Sequence, residues 1–230
     1  MKNPVLIIIA KQPQVGSTKT RLSPPLTLSA AAELFEALLF DTIDLASSIT
    51  DLDLAVAVTP PESIPYFERV TPPGTLLLPV TCPDIGDCLA QVFEQLLQRG
   101  YPQVLAFNSD GPSLPVVHIQ QAVQLLVDHD VVFGPSEDGG YYLVALDELH
   151  PKIFQNIEWS TPNVMSQSLA TARREGLEVG LLPTWYDVDT AAGLKRLLQE
   201  TRSLPAHQLA NSRRFFAGLS PQLIDSLSEI

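Results

Sequence analysis

VVFGPSEDGGYYLVAL, residues 131–146, decides the fold. Its ends, residues 131–134 and 141–146, are apolar runs of Val, Phe, Tyr and Leu, as expected of buried strands. Only PSEDGG separates them. That is too short for the crossover helix parallel neighbours need, so the second run is predicted to be antiparallel. Upstream the pattern differs. VLIIIA at 5–10 is a continuous β-branched run of the kind found in central parallel strands. A loop at 11–25 follows, closed by Pro24 and Pro25, which bar helix there. Ser29 precedes an apolar helical pattern carrying Leu34, Leu38, Leu39 and Ile43. Strands are predicted at 53–58, 75–80 and 104–108, with Pro79 weakening the second, and helices at 87–98 and 116–127. Downstream come a helix near 163–175, a strand near 178–182 and a helix near 191–201. The expected class is therefore α/β, a Rossmann-like, mostly parallel sheet with one antiparallel strand and helices on both faces. One domain is expected over 1–202, with 203–230 as a loosely packed helical extension of it.

Composition narrows the function. The 230 residues are 45% hydrophobic and 17% charged, as in a folded globular chain. A net charge of −12 argues against a nucleic-acid surface. The imbalance is uneven: residues 1–32 hold no acid and carry +4 through Lys2, Lys11, Lys19 and Arg21, leaving −16 for the rest. A chain so acidic that binds an anion must gather its cations in one place and recruit a metal elsewhere. The apolar run at 5–10 is too short to span a bilayer, so neither a signal peptide nor an anchor is expected, and the location is expected to be cytoplasmic. Cys82 and Cys88 in CPDIGDC lack CxxC spacing and are expected to be unlinked thiols. The four histidines are scattered, which disfavours zinc, and no G-x-S-x-G elbow is present.

Three segments carry chemistry. AKQPQVGSTKTRL at 10–22 leaves the first strand and gathers Lys11, Gly16, Lys19 and Arg21. It is not a P-loop: positions 14 and 18 are not glycine, and the prolines interrupt the path to a helix. It can still wrap a phosphate chain between basic clamps. NSDGP at 108–112 places Ser109 and Asp110 after another strand, at the sheet edge where α/β proteins bind ligands. Asp110 is a turn residue or a hard oxygen ligand for Mg²⁺ or Mn²⁺. In YDVDT, Asp189 serves as helix N-cap or as a second ligand, and Asp187 reads as a structural residue. In EDGGYYL, Gly139 and Gly140 form a hairpin turn or let a sugar approach the backbone. Beside them Asp138 is the candidate general base, with Glu137 orienting a hydroxyl. Trp159, Ser160 and Thr161 offer an aromatic plate and two hydroxyls, or a plain helix cap.

With these residues in view, the chain resembles a bacterial family of nucleotide-diphospho-sugar transferase-like proteins with the GT-A fold, also described as glycosyltransferases or as a domain of unknown function. It resembles more distantly the 2-phospho-L-lactate and molybdenum-cofactor guanylyltransferases. The resemblance rests on K-x-P-x-x-G-x-x-K-T-R-L from Lys11, S-D-x-P-x-L from Ser109, G-P-x-x-D-G-G-Y-Y-L from Gly134, W-S-T from Trp159 and D-V-D-T from Asp187. It implies that the Lys19–Arg21 loop cradles nucleotide phosphates, that Asp110 is the metal-binding aspartate, and that the DGG segment faces sugar or acceptor. Where the family reads D-L-G-x-R, this chain has Asp84, Ile85, Gly86, Asp87 and Cys88, so the family Arg is absent. The expected activity is metal-dependent glycosyl transfer from a nucleotide-diphospho-sugar to a small acceptor. Nucleotidyl transfer from a nucleoside triphosphate, or nucleotide binding without turnover, are the alternatives.

Overall fold

The structure, a computed structural model, describes residues 2–229. Seven strands form one sheet: β1 (Val5–Ala10), β2 (Asp53–Val58), β3 (Leu76–Pro79), β4 (Val104–Phe107), β5 (Val131–Pro135), β6 (Tyr141–Leu146) and β7 (Val179–Leu181), in spatial order β3-β2-β1-β4-β6-β5-β7. β1 pairs in parallel with β2 and β4, β2 with β3, and β5 with β7. β6 is antiparallel to both β4 and β5, the latter as its short connection to β5 predicts. It is an interior strand, which explains why YYLVAL is apolar on both faces: Tyr142 through Leu146 are all buried. β3 lies at the sheet edge, where Pro79, which cannot donate to a ladder, is exposed and tolerated.

The described residues also form eight helices: α1 (Leu28–Ser47), α2 (Ile64–Val70), α3 (Ile85–Gln98), α4 (Val116–Leu125), α5 (Val164–Arg174), α6 (Ala191–Ser203), α7 (Ala210–Ala217) and α8 (Pro221–Glu229). Alternation along β1 assigns the two faces. Leu6, Ile8 and Ala10 pack with Leu39 and Ile43 of α1 and Ile119 of α4. Val5 and Ile7 pack with Val92, Phe93 and Leu96 of α3. A third cluster joins the far side of α1 (Leu34, Leu38) to Leu194 and Leu197 of α6, Phe216 of α7 and Leu227 of α8. That is why α1 is apolar nearly all round.

Some local expectations are corrected. α1 starts at Leu28, because the Thr27 hydroxyl accepts from Ala30 N at 3.1 Å and caps the helix ahead of Ser29. α2, at seven residues too short to show a periodicity, was not predicted. Cys82 and Cys88 are bonded, with Cα atoms 5.3 Å apart. The Asp84 cap on Asp87 N, at 2.9 Å, turns the chain into α3 and returns residue 88 over residue 82. Cys88, the position of the absent family Arg, is buried.

The C-terminal helices have a polar anchor. The residue preceding α7, Leu209, is left-handed at φ 55 and has no side chain able to cap. Asp41 of α1 does so instead, accepting from Asn211 N (2.9 Å), Asn211 Nδ2 (3.0 Å), Ser212 N (2.8 Å) and Ser212 Oγ (2.6 Å) while only 4% exposed. Asp41→Ala removes the cap and leaves those donors buried, so it is expected to cost about 2–3 kcal/mol. The urea midpoint measures it, and amide exchange should accelerate first in α7.

Candidate active site

Lys11, the residue after β1, begins the loop at the carboxyl edge of the sheet. Thr18 closes the loop on itself, its hydroxyl donating to Gln14 O at 2.9 Å. Lys19 then adopts a left-handed backbone at φ 51, followed by a single 3-10 turn, Thr20–Leu22. Leu22 is fully buried in the α1–α6 cluster. That anchor turns Lys19 inward, while Lys11, Gly16 and Arg21 remain exposed.

From β4 come Asn108, Ser109 and Asp110. Lys19 Nζ lies 3.0 Å from Asp110 Oδ1 and 2.5 Å from Asp189 Oδ1, with the lysine side chain only 4% exposed. Burial alone would lower the Lys19 pKa, but the two carboxylates outweigh it and hold it above the ordinary value. The ammonium therefore stays charged. Asp189 is not the helix cap: Thr190 is, its hydroxyl accepting from Gly193 N at 3.2 Å. This leaves the Asp189 carboxylate free to face Lys19.

Asp187, which the sequence casts as structural, is the hub of the rim. Its Oδ1 accepts from Asn108 Nδ2 at 2.8 Å, and its Oδ2 accepts a short bond from Ser136 Oγ at the end of β5. The neighbouring Val188 N donates to Asp110 O at 3.0 Å. Burial raises the Asp187 pKa to about 6; the two hydrogen bonds pull it back, and the charges of Asp110 and Asp138 add to the rise. The links of Asp187 to Asn108 and Ser136 escaped the sequence reading because these partners lie 79 and 51 residues away.

Two clefts meet here. One, of about 320 Å³, is mainly apolar and lined by Ile9, Ile85, Leu89 and Tyr141, with Asn108 and Ser109 on its polar side. The other, of about 230 Å³, is lined by Thr18, Lys19, Thr20, Arg21 and Asp189. They share Lys11, Phe35 and Asp110, so they adjoin one another. An apolar slot joined to a cationic, hydroxyl-bearing pocket suits a ligand with a flat ring at one end and anionic oxygens at the other.

The remaining sequence candidates sit apart. Glu137 is exposed and paired with Arg196 at 3.1 Å. Asp138 is exposed and accepts from Gly140 N at 2.9 Å, an Asx turn. At Gly139, φ is 91 and an added Cβ would lie 2.3 Å from Pro162 O, so the missing side chain makes room for the protein's own backbone. At Gly140 a Cβ would meet only Asp138 Oδ1, at 3.2 Å. Trp159 lies against Gly86 and edge-on to Tyr141, centroids 6.2 Å apart, so it backs the cleft wall. Ser160 is exposed at φ 63. Thr161 donates to Glu158 O at 2.7 Å and accepts from Asn163 N at 3.2 Å. Lys11, Lys19, Arg21, Ser109, Asp110 and Asp189 thus line the two adjoining clefts; the 137–140 and 159–161 groups form their flank.

The donor set fits a hard cation. Asp110 Oδ1 is buried and accepts no well-aligned hydrogen bond. It and Asp189 Oδ1 converge on a single positive charge. No group of three or more His, Cys, Asp or Glu is arranged for a metal among the described residues. Two carboxylates with substrate phosphates completing the shell is the arrangement Mg²⁺ favours.

A family profile described as "Uncharacterized protein conserved in bacteria (DUF2064)" matches residues 42–161, just over half of the chain. No curated protein sequence is significantly similar. Among solved structures, a protein of Desulfovibrio desulfuricans G20 described as a "putative nucleotide-diphospho-sugar transferase" is 27% identical, with TM-score 0.87 over 99% of both chains. A CMP:2-keto-3-deoxy-manno-octonic acid synthetase complexed with CTP is 13% identical, with TM-score 0.56 over 88% of this chain and 100% of its own. Rv0371c of Mycobacterium tuberculosis H37Rv, complexed with manganese, is 12% identical, with TM-score 0.53 over 86% and 98%. The last two likenesses concern the fold alone. The architecture is that of the nucleotide-diphospho-sugar transferases.

Proposed function

The chain belongs to the bacterial DUF2064 family, and we propose that it is a divalent-metal-dependent transferase moving a glycosyl group from a nucleotide-diphospho-sugar to a small acceptor. One observation carries this proposal: the basic loop after β1 and the aspartate after β4 meet within 3.0 Å at the mouth of an apolar cleft. The likeness to the Desulfovibrio protein over 99% of both chains supports it.

In this scheme the nucleobase lies between Ile85, Leu89 and Tyr141, with Asn108 and Ser109 for its polar edge. Lys11 and Arg21, with the hydroxyl of Thr20, bind the diphosphate oxygens. Asp110 and Asp189 would hold Mg²⁺ or Mn²⁺, which supplies charge stabilisation at the departing diphosphate. Asn108 and Ser136 fix Asp187, and the Val188 amide fixes the Asp110 backbone, so the rim is pre-organised. Asp138, on the flank, orients the acceptor hydroxyl and takes its proton, with Glu137, Gly139 and Gly140 shaping the approach and Trp159, Ser160 and Thr161 supporting it.

Nucleotidyl transfer is the second reading, favoured by the shared fold with a synthetase complexed with CTP. The two differ in the bond broken. Incubation of the purified protein and Mn²⁺ with nucleotide sugars should release nucleoside diphosphate. Pyrophosphate released from triphosphates, with no diphosphate from sugars, overturns the glycosyl proposal; tight binding without either product overturns both.

A further inference from the structure

The two carboxylates best placed for a divalent ion already share a cation. Lys19 Nζ stands 3.0 Å from Asp110 Oδ1 and 2.5 Å from Asp189 Oδ1. A divalent ion and an ammonium cannot both occupy that point, because their repulsion at such a distance exceeds what two carboxylates can screen. Lys11 and Arg21, the other cations of the cleft, are exposed and form no ion pair among the described residues. Lys19 is thus singled out among three basic residues of one loop. It also closes an exposed segment: Val15 is 66% exposed, and Gly16, at φ 82, has open space around its Cβ position.

We propose that Lys19 is a tethered counter-cation, which holds the Asp110–Asp189 site closed to divalent metal until a phosphate chain draws the ammonium away. The proposal rests on the reading of Asp110 and Asp189 as metal ligands given above. Charge arithmetic gives the direction. Two carboxylates and one ammonium leave a net −1, well compensated at rest. When a diphosphate enters beside Lys11 and Arg21, its oxygens compete for Lys19, and the vacated carboxylates gain affinity for Mg²⁺ or Mn²⁺ bound jointly with those oxygens. Nucleotide then precedes metal, and the free protein resists metal loading.

The test is Mn²⁺ binding followed by the electron paramagnetic resonance signal of free Mn²⁺, with Mn²⁺ alone as probe and then with inorganic pyrophosphate. Asp110→Asn provides the blank for Mn²⁺ chelated by pyrophosphate in solution. Lys19→Met is expected to bind Mn²⁺ alone at least tenfold more tightly than the wild type. Lys19→Arg should stay as weak as the wild type, because it keeps a cation in place. Lys11→Met should change affinity less than twofold, which separates occupancy of the site from a general loss of positive charge. Pyrophosphate should raise wild-type Mn²⁺ uptake above the Asp110→Asn blank. Lys19→Gln, which keeps a polar end without the charge, is measured in parallel to guard against misfolding, and thermal melts with and without Mn²⁺ should show the larger rise in Lys19→Met and Lys19→Gln. Wild-type protein that binds Mn²⁺ alone as tightly as Lys19→Met, through Asp110, overturns the lock while leaving the metal ligands standing. Absence of Mn²⁺ binding in every protein, with or without pyrophosphate, overturns both.

Discussion

Asp110→Asn is expected to lower kcat/KM about a thousandfold, the size of effect seen when one preorganised charge-stabilising group is lost. The carboxylate is shared between Lys19 and the proposed metal, and no neighbour can replace it: Asp187 is committed to Asn108 and Ser136. Most of the loss should fall in kcat, because the apolar cleft and the Lys11 and Arg21 side chains proposed to bind the donor are untouched. Stability should fall too, by about 1–3 kcal/mol, since Lys19 is left with one carboxylate in a nearly buried position. Steady-state kinetics beside a urea titration of the same protein separates the two effects. Activity within tenfold of the wild type would remove Asp110 from the reaction.

The second large effect is expected at Gly139. An alanine Cβ there would fall 2.3 Å from Pro162 O and 2.7 Å from Pro162 Cα, both backbone atoms, at a residue whose φ is 91. Overpacking and backbone strain together come to about 3–5 kcal/mol. The β5–β6 turn and the start of α5 are also joined by Met165 N donating to Gly139 O at 2.9 Å, so the clash should shift both and carry Asp138 with them. Gly140→Ala is the control. Its Cβ meets only the exposed Asp138 side chain at 3.2 Å, and a cost below about 1 kcal/mol is expected. Denaturant midpoints of the two variants decide the matter; equal costs would mean that the turn is not pinned by Pro162.

How much of this was written in the sequence depends on the range of the interactions involved. Strands at 5–10, 53–58 and 141–146 were legible to the residue, because each is an apolar run that ends where polar residues, glycine or proline begin. The antiparallel sense of β6 followed from connection length alone. Its position between β4 and β5 did not, since the pairing of Leu105 with Ala145 spans 40 residues with no local trace. Lys19 and Asp110 could be brought together in advance because both follow strands at the carboxyl edge of the sheet. The cap of α6 was open to misreading: the sequence offers Asp189 as cap or ligand, but the adjacent Thr190 is also a good capping residue. Only the structure shows Thr190 in that role. Asp187, read as a structural residue, does sit in structural hydrogen bonds, but its partners were hidden. Its importance comes from Asn108 and Ser136, which nothing near YDVDT in sequence reveals. The Cys82–Cys88 bond and the Asp41 anchor of α7 likewise depend on where turns return the chain.

At the centre of the account is one anion pocket in which the basic loop and the aspartates act on the same phosphates. Crystals of the protein grown with Mn²⁺ and a nucleoside diphosphate test this most directly, through the manganese anomalous signal. The expected result is a peak bound by Asp110 and Asp189, with the diphosphate beside Lys11 and Arg21 and the base in the cleft by Ile85 and Tyr141. Nucleotide bound elsewhere on the molecule, or manganese away from both aspartates, would contradict it.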